Sequence, residues 1–314
     1  MNIVFLEPLA LSETNAEALK KSLKEKGHNF ISYNNRIEDE DTLIERAKNA
    51  DIIALSNIKL SKRVIDACPN LKMISVAFTG VDHIDMDTCR EKNIVVSNAA
   101  GFSNESVAEL AIGMMISTLR KFAWGEDATR TGGSRGSFLG TELNGKTVGI
   151  IGCGTIGKRV ADICKVFGCK ILAYNRNPKA IEGVTFTDKE SLLKKSDIIT
   201  LHTPLTSETK DIINFEDFDK MKKTAILINT ARGPVVNKEA LYDALINGKI
   251  SGAATDVYDI EPPLNNKEIL LKAPNLLMLP HVAYATNESF EKRLQIVIDN
   301  ILLWLDGKAR NLMN

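Results

Sequence analysis

Arg232, Glu261 and His281 are the side chains of this chain best suited to moving a proton at a carbonyl oxygen while a neighbouring carboxylate is held. Arg232 sits in Leu227-Ile228-Asn229-Thr230-Ala231-Arg232-Gly233, just past an apolar run. Its guanidinium is a planar fork of donors that can grip the carboxylate and carbonyl of a 2-keto acid and polarise the carbonyl. His281 follows the apolar run Leu276-Leu277-Met278-Leu279-Pro280. An imidazole there can give a proton to the oxygen as hydride reaches the carbon, and take it back in the reverse direction. Glu261 opens the rigid loop Glu261-Pro262-Pro263 and is placed to orient that imidazole. A lone histidine at a strand end is more often structural than catalytic, so the reading rests on the three residues together. Of the other histidines, His28 follows a charged helix and reads as a solvated surface residue, while His83 and His202 each follow a strand-like run.

Such a site needs a hydride carrier, and the segment from Val148 to Gly157 supplies a place for one. The apolar run Val148-Gly149-Ile150-Ile151 reads as a buried strand and leads into Gly152-Cys153-Gly154-Thr155-Ile156-Gly157, a G-x-G-x-x-G. A helical pattern over Lys158 to Phe167 and a second strand-like run, Cys169 to Tyr174, complete a β-α-β unit. Gly152 permits the tight turn, Gly154 lets the backbone approach a pyrophosphate, and Gly157 lets helix and sheet meet closely. Thr155 and Ile156 open the helix, whose unpaired N–H groups and dipole favour phosphate. An NAD site usually carries Asp or Glu about 20 residues on, for the ribose hydroxyls. Here Asn175 and Arg176 stand there. Asparagine offers no carboxylate, and an arginine can fork onto a 2′-phosphate, a contact worth about 1.5–3 kcal/mol or about 10- to 150-fold in affinity. The residues therefore favour NADP(H), with NAD as the alternative cofactor.

Composition bounds the rest. A chain of 314 residues suggests two domains, and 44% apolar with 25% charged residues is an ordinary soluble mixture. Lysine plus arginine equals aspartate plus glutamate, so no net charge draws the chain to nucleic acid or an anionic membrane. The longest apolar stretch, Val107 to Leu119, is too short for a membrane span and carries Glu109. The first residues read as a strand, not a signal peptide. The five cysteines form no C-x-x-C, which points to reduced thiols in a cytoplasm and to no metal site.

Three more strand ends must bring these residues together. Residues 1 to 100 alternate strand and helix patterns: Ile3–Glu7, Asn15–Lys26, Asn29–Tyr33, Glu40–Asn49, Asp51–Leu55, Ser61–Ala67, Met73–Ala77, Met86–Lys92 and Ile94–Val96. Glu105 to Phe122 reads as a buried interdomain or dimer helix, its methionines as core, and Trp124 to Leu139 as a polar, glycine-rich loop. Past the glycine motif, Asp197–Leu201, Ala225–Asn229, Gly252–Thr255 and Leu276–Leu279 look like buried strands, and Ser289–Leu305 like a final helix. The pattern predicts an α/β protein of two doubly wound parallel-sheet domains. Ligands of such sheets gather at the carboxyl ends of strands.

The order and spacing of Gly152–Gly157, Thr230-Ala231-Arg232-Gly233, Asp256-Val257, Glu261-Pro262-Pro263 and Pro280-His281 resemble the D-isomer-specific 2-hydroxyacid dehydrogenases, the family of glyoxylate/hydroxypyruvate reductases, phosphoglycerate dehydrogenases and formate dehydrogenases. The resemblance extends over nearly the whole chain. It implies a Rossmann cofactor domain, residues 101–285 with the crossover helix. It also implies a smaller flavodoxin-like substrate domain, residues 1–100 plus 286–314. Arg232, Glu261 and His281 match the catalytic set, and Asp256 the residue that meets the nicotinamide carboxamide. His202, Thr203 and Pro204 match the loop beside the cofactor, where Thr230 also contributes. Phe78, Thr79, Gly80 and Val81 match the loop whose N–H groups hold the substrate carboxylate, and a homodimer through the crossover region is implied. Val76 stands where phosphoglycerate dehydrogenases carry an arginine, which argues for an unphosphorylated substrate. The expected activity is reduction of glyoxylate, hydroxypyruvate or a short aliphatic 2-keto acid by NAD(P)H to the D-2-hydroxy acid. The alternatives are D-3-phosphoglycerate dehydrogenase and a nucleotide-sensing scaffold or corepressor of the same fold.

Overall fold

The computed structural model describes residues 1–261 and 263–313; Pro262 of the Glu261-Pro262-Pro263 loop lies outside the described residues. The chain divides into two compact units, Met1–Ser103 with Ala285–Asn314, and Asn104–Tyr284.

The first unit alternates β1 (Asn2–Phe5), α1 (Glu13–Glu25), β2 (Asn29–Ser32), α2 (Glu40–Ala47), β3 (Ile52–Leu55), α3 (Lys62–Asp66), β4 (Met73–Val76), α4 (Met86–Glu91) and β5 (Val95–Ser97). The strands form one sheet in the order β2-β1-β3-β4-β5, every neighbouring pair parallel. All four residues of β3 and of β4 are buried, as strands covered on both faces must be. Because successive side chains of a strand point to opposite faces, alternate residues serve two separate cores. Val4, Ile53, Leu55, Ile74 and Val76 meet Leu43 and Ala47 of α2, Val64 and Ile65 of α3 and Cys89 of α4. Ile3, Phe5, Ile52, Ala54 and Met73 form the other core, with Leu23 of α1.

The second unit runs α5 (Asn104–Arg120), α6 (Phe122–Arg130), β6 (Thr147–Ile151), α7 (Thr155–Val166), β7 (Lys170–Tyr174), β8 (Val184–Phe186), α8 (Lys189–Lys195), β9 (Ile198–Leu201), α9 (Phe215–Lys220), β10 (Ile226–Asn229), α10 (Lys238–Ile246), β11 (Gly252–Thr255) and β12 (Leu276–Met278). Its seven strands lie in the order β12-β11-β10-β9-β6-β7-β8, again all parallel. Val148 and Ile150 join the core under α5 and α7, while Ile151, Ile199 and Leu227 join the core with α8, α9 and α10. The chain then returns to the first unit with α11 (Asn287–Leu305), whose Leu294, Val297 and Ile301 complete the core opposite α2, α3 and α4.

One expectation needs correction. The segment from Trp124 to Leu139 is not a loop throughout, since residues 122–130 are helical. Lys121 takes a left-handed φ of 49°, ending one helix and starting the next, and the Trp124 and Phe138 rings lie 4.9 Å apart. Gly125 and the glycines after Thr131 masked a helix that this ring contact stabilises. The methionines of α5 are core, as expected: Met114 and Met115 are buried with Ala108 and Ala111 in the second unit.

Candidate active site

Five strands of the second sheet deliver the candidate residues to one edge, because parallel strands share their carboxyl ends. Gly152 follows β6, His202 follows β9, Arg232 follows β10, Asp256 and Glu261 follow β11, and His281 follows β12. The strand order reverses around β6, which lies between β9 and β7, and such a switch point opens a crevice for ligand.

The cofactor half is shaped by close backbone approaches. Gly152 has φ +92°, and a Cβ there would lie 2.7 Å from the carbonyl carbon and oxygen of His202. At Gly157 a Cβ would meet the Gly152 oxygen at 2.5 Å. At Gly154 it would meet nothing within 4 Å, so that glycine borders open space. Gly154 is also the N-cap of α7 and offers no side-chain acceptor, whereas Ser12, Asp39, Asp188, Asn237 and Thr286 cap their helices through side chains. The N–H groups of Thr155 and Ile156 are thus left for an outside acceptor. Two buried hydroxyls, Thr203 Oγ1 and Thr230 Oγ1, have no hydrogen-bond partner among the described residues. Open space, uncapped amides and orphaned hydroxyls all fit a dinucleotide.

Beyond β7 the two residues expected at the ribose have partners that sequence spacing does not reveal. Asn175 Oδ1 accepts from Cys153 N at 2.6 Å, and its Nδ2 donates to Cys153 O at 3.3 Å, which braces the glycine loop. Arg176 is ion-paired with Glu208.

His202 lies beneath this loop. Its Nε2 shares a hydrogen with Thr200 Oγ1 at 2.9 Å, and burial pushes its pKa down to about 4. The imidazole is therefore neutral in the fold but protonates near 6.5 once unfolded. Stability from this group is complete above about pH 6.5 and is lost as pH falls towards about 4, at no more than about 1.4 kcal/mol per pH unit. The drop in Tm from pH 7.5 to 5 is therefore larger for the parent chain than for His202→Gln. An equal drop in both removes His202 as the cause.

In the catalytic half, Asn229 organises the turn that carries Arg232. Its Oδ1 accepts from Ala231 N at 3.0 Å and its Nδ2 donates to Arg232 O at 2.9 Å. Gly233 is obligatory there, since a Cβ would fall 2.0 Å from the Tyr258 carbonyl carbon. His281 Nδ1 and Glu261 Oε2 are 2.8 Å apart. The His281 and Tyr284 rings meet at a T-shaped angle of 87°, centroids 5.5 Å apart. His281 takes a left-handed φ of 57°, which a non-glycine residue holds only under constraint. Asp256 supplies the constraint: its fully buried carboxylate accepts from Val282 N at 2.9 Å and Ala283 N at 2.8 Å. Burial pushes the Asp256 carboxyl up, against the pull of those two amides. Neither Asn229 nor this clamp was expected; an asparagine at a strand end before a tight turn was the one available signal.

Phe78, Thr79, Gly80 and Val81 lie in the first unit, past the end of β4. Ala99 N donates to Phe78 O at 2.9 Å and Asn98 Nδ2 to Thr79 O at 2.7 Å, so the carbonyls are tied down. The N–H groups of Thr79, Gly80 and Val81 have no partner among the described residues.

Residues 112–283 match the family described as D-isomer specific 2-hydroxyacid dehydrogenase, NAD binding domain. The chain belongs to the D-isomer-specific 2-hydroxyacid dehydrogenase family. It is an NAD(P)-dependent oxidoreductase, and its cofactor domain is the Rossmann unit just described. Among its relatives, a glyoxylate reductase of Thermofilum pendens is 39% identical over 85% of this chain and 82% of its own length. A D-3-phosphoglycerate dehydrogenase of Methanocaldococcus jannaschii is 40% identical over 88% of this chain, which spans 54% of that relative. The solved glyoxylate reductase of Paecilomyes thermophila superposes with a TM-score of 0.89 at 29% identity, over 100% of this chain and 98% of the other.

Proposed function

We propose that this dehydrogenase reduces small, unphosphorylated 2-keto acids, such as glyoxylate, hydroxypyruvate or a short aliphatic acid, to D-2-hydroxy acids, with NADPH preferred over NADH. The observation that carries the reading is the His281–Glu261 pair, which joins the ends of the neighbouring strands β12 and β11, with Arg232 past β10 on the other side of β11. The nicotinamide dinucleotide, held by Gly152, Gly154, Thr155, Ile156, Gly157, Asn175, Arg176, His202, Thr203, Pro204 and Thr230, supplies or accepts hydride when bound. Arg232 forks onto the substrate carboxylate and carbonyl oxygen and draws electron density from the carbonyl carbon. With Nδ1 on Glu261, His281 delivers its proton to the carbonyl oxygen from Nε2 and recovers it in the oxidative direction. In the first unit the amides of Thr79, Gly80 and Val81, with Phe78 before them, are those that the family resemblance assigns to a carboxylate.

The fully buried Val76, which ends β4 just before that loop, supports an unphosphorylated substrate, since it leaves a phosphate without the arginine. The phosphoglycerate dehydrogenase relative favours the second reading, a phosphorylated 2-keto acid. The five buried, unbridged thiols suit a reducing cytoplasm, and no described helix is long and apolar enough to cross a membrane. Phe122, Trp124 and Leu139 expose 57%, 44% and 80% of their surface around α6, an apolar patch suited to a homodimer contact.

Loss of reduced-nicotinamide absorbance, with NADPH and NADH side by side, tests the reading against glyoxylate, hydroxypyruvate, pyruvate, 2-ketoisocaproate and phosphohydroxypyruvate. NADPH-preferred turnover of an unphosphorylated acid is expected. Preference for phosphohydroxypyruvate selects the second reading, and cofactor binding without turnover of any acid removes both.

A further inference from the structure

The position that sequence spacing assigns to the ribose 2′ group, which separates NADP from NAD, carries a charge pair. Arg176 Nη1 donates to Glu208 Oε2 across 32 residues of sequence. Glu208 is carried by a built turn: Thr206 N donates to Thr209 Oγ1 at 2.7 Å, and Thr209 Oγ1 donates to Pro204 O at 2.6 Å. The neighbouring Asn175 is turned onto Cys153 and brings no charge. A site committed to a 2′-phosphate would present an unopposed cation, and one committed to the two ribose hydroxyls would present a carboxylate at residue 175. This chain presents a cation opposed by an anion, which weakens a preference for the 2′-phosphate without reversing it.

We propose that Glu208 sets the cofactor discrimination of this enzyme. Its carboxylate competes with a 2′-phosphate for Arg176, holding NADPH affinity down and keeping NADH usable. The proposal rests on the dinucleotide reading of residues 152–157. A phosphate entering beside Arg176 must displace or share the guanidinium and then lies close to a like charge. Arg176 and Glu208 are 74% and 64% exposed, and an exposed pair is weak, so it tunes the choice without closing it. The pair is held beside the loop that bears His202, Thr203 and Pro204, which fixes the anion near the cofactor.

The test is a binding titration of NADPH and of NADH, followed by nicotinamide fluorescence, on the parent chain, Glu208→Gln and Arg176→Gln. Glu208→Gln is expected to tighten NADPH about threefold to tenfold and to leave NADH within about twofold. The gain should shrink at high salt, where exposed charges are screened. Arg176→Gln is expected to weaken NADPH about tenfold or more. A parent chain that binds neither cofactor overturns the dinucleotide reading and this proposal with it. A parent chain that binds both, with a Glu208→Gln ratio unchanged or moved towards NADH, overturns this proposal alone. An Arg176→Gln variant that binds NADPH as the parent does overturns it equally.

Discussion

His281→Gln lowers kcat by two to four orders of magnitude while NAD(P)H binds as before. General acid–base catalysis by a positioned side chain contributes about 10²- to 10⁴-fold, and glutamine cannot donate a proton to a carbonyl oxygen at neutral pH. Cofactor affinity stays because the dinucleotide residues lie past the ends of β6, β7, β9 and β10, whereas His281 follows β12. Glu261 acts through the imidazole, so Glu261→Gln alone costs less, about 10- to 100-fold on the same scale. The pair is strongly non-additive: His281→Gln with Glu261→Gln is no slower than His281→Gln. Arg232→Lys keeps the charge and loses the fork, so it raises KM and lowers kcat together. Steady-state kinetics of the four variants, with cofactor titration as the control, decide the matter. Near-parental kcat in His281→Gln, or multiplying losses in the double variant, removes the histidine from proton transfer.

The strand ends that bear this set were readable because parallel strands covered on both faces are written as nearly unbroken apolar runs. Ile198–Leu201, Ile226–Asn229 and Gly252–Thr255 fall within the runs read from sequence. The glycine motif was equally legible, since Gly152 and Gly157 answer to steric demands that no other residue meets. β8 escaped notice because Val184–Phe186 is three residues at the sheet edge, with no apolar run to announce it. The helix from Phe122 to Arg130 escaped because its support comes from Phe138, outside the helical window. Partners distant in sequence were illegible in principle. The spacing of Asn175 and Arg176 says where they stand, but nothing in it says that Cys153 and Glu208 hold them. Asp256 is the sharpest case: sequence resemblance directs it to the nicotinamide, while the fold directs both its oxygens to the backbone behind His281.

That double assignment yields the second large effect. Asp256→Ala leaves the amides of Val282 and Ala283 without their acceptor, Ala283 being buried. Each buried, unsatisfied donor costs about 1–3 kcal/mol, so Tm falls by several degrees. The larger consequence is at the preceding residue. A non-glycine residue in the left-handed region costs about 1–3 kcal/mol and stays there only while its surroundings insist. With the two following amides released, residue 281 relaxes towards negative φ and its imidazole swings away from Glu261. A misplacement of about 1 Å can cost about 10²-fold, so kcat drops by about that factor. Asp256→Asn keeps one acceptor oxygen but sets its amide against the other N–H, and its loss of kcat falls between parent and alanine. A carboxylate that served only the nicotinamide would behave otherwise, weakening NAD(P)H binding while bound substrate turned over at the parental rate. Kd for the cofactor measured beside kcat separates the two roles, and a change confined to Kd rules out the clamp. In this fold the proton-transfer geometry and the strained backbone beneath it are one construction, and Asp256 is the group that joins them.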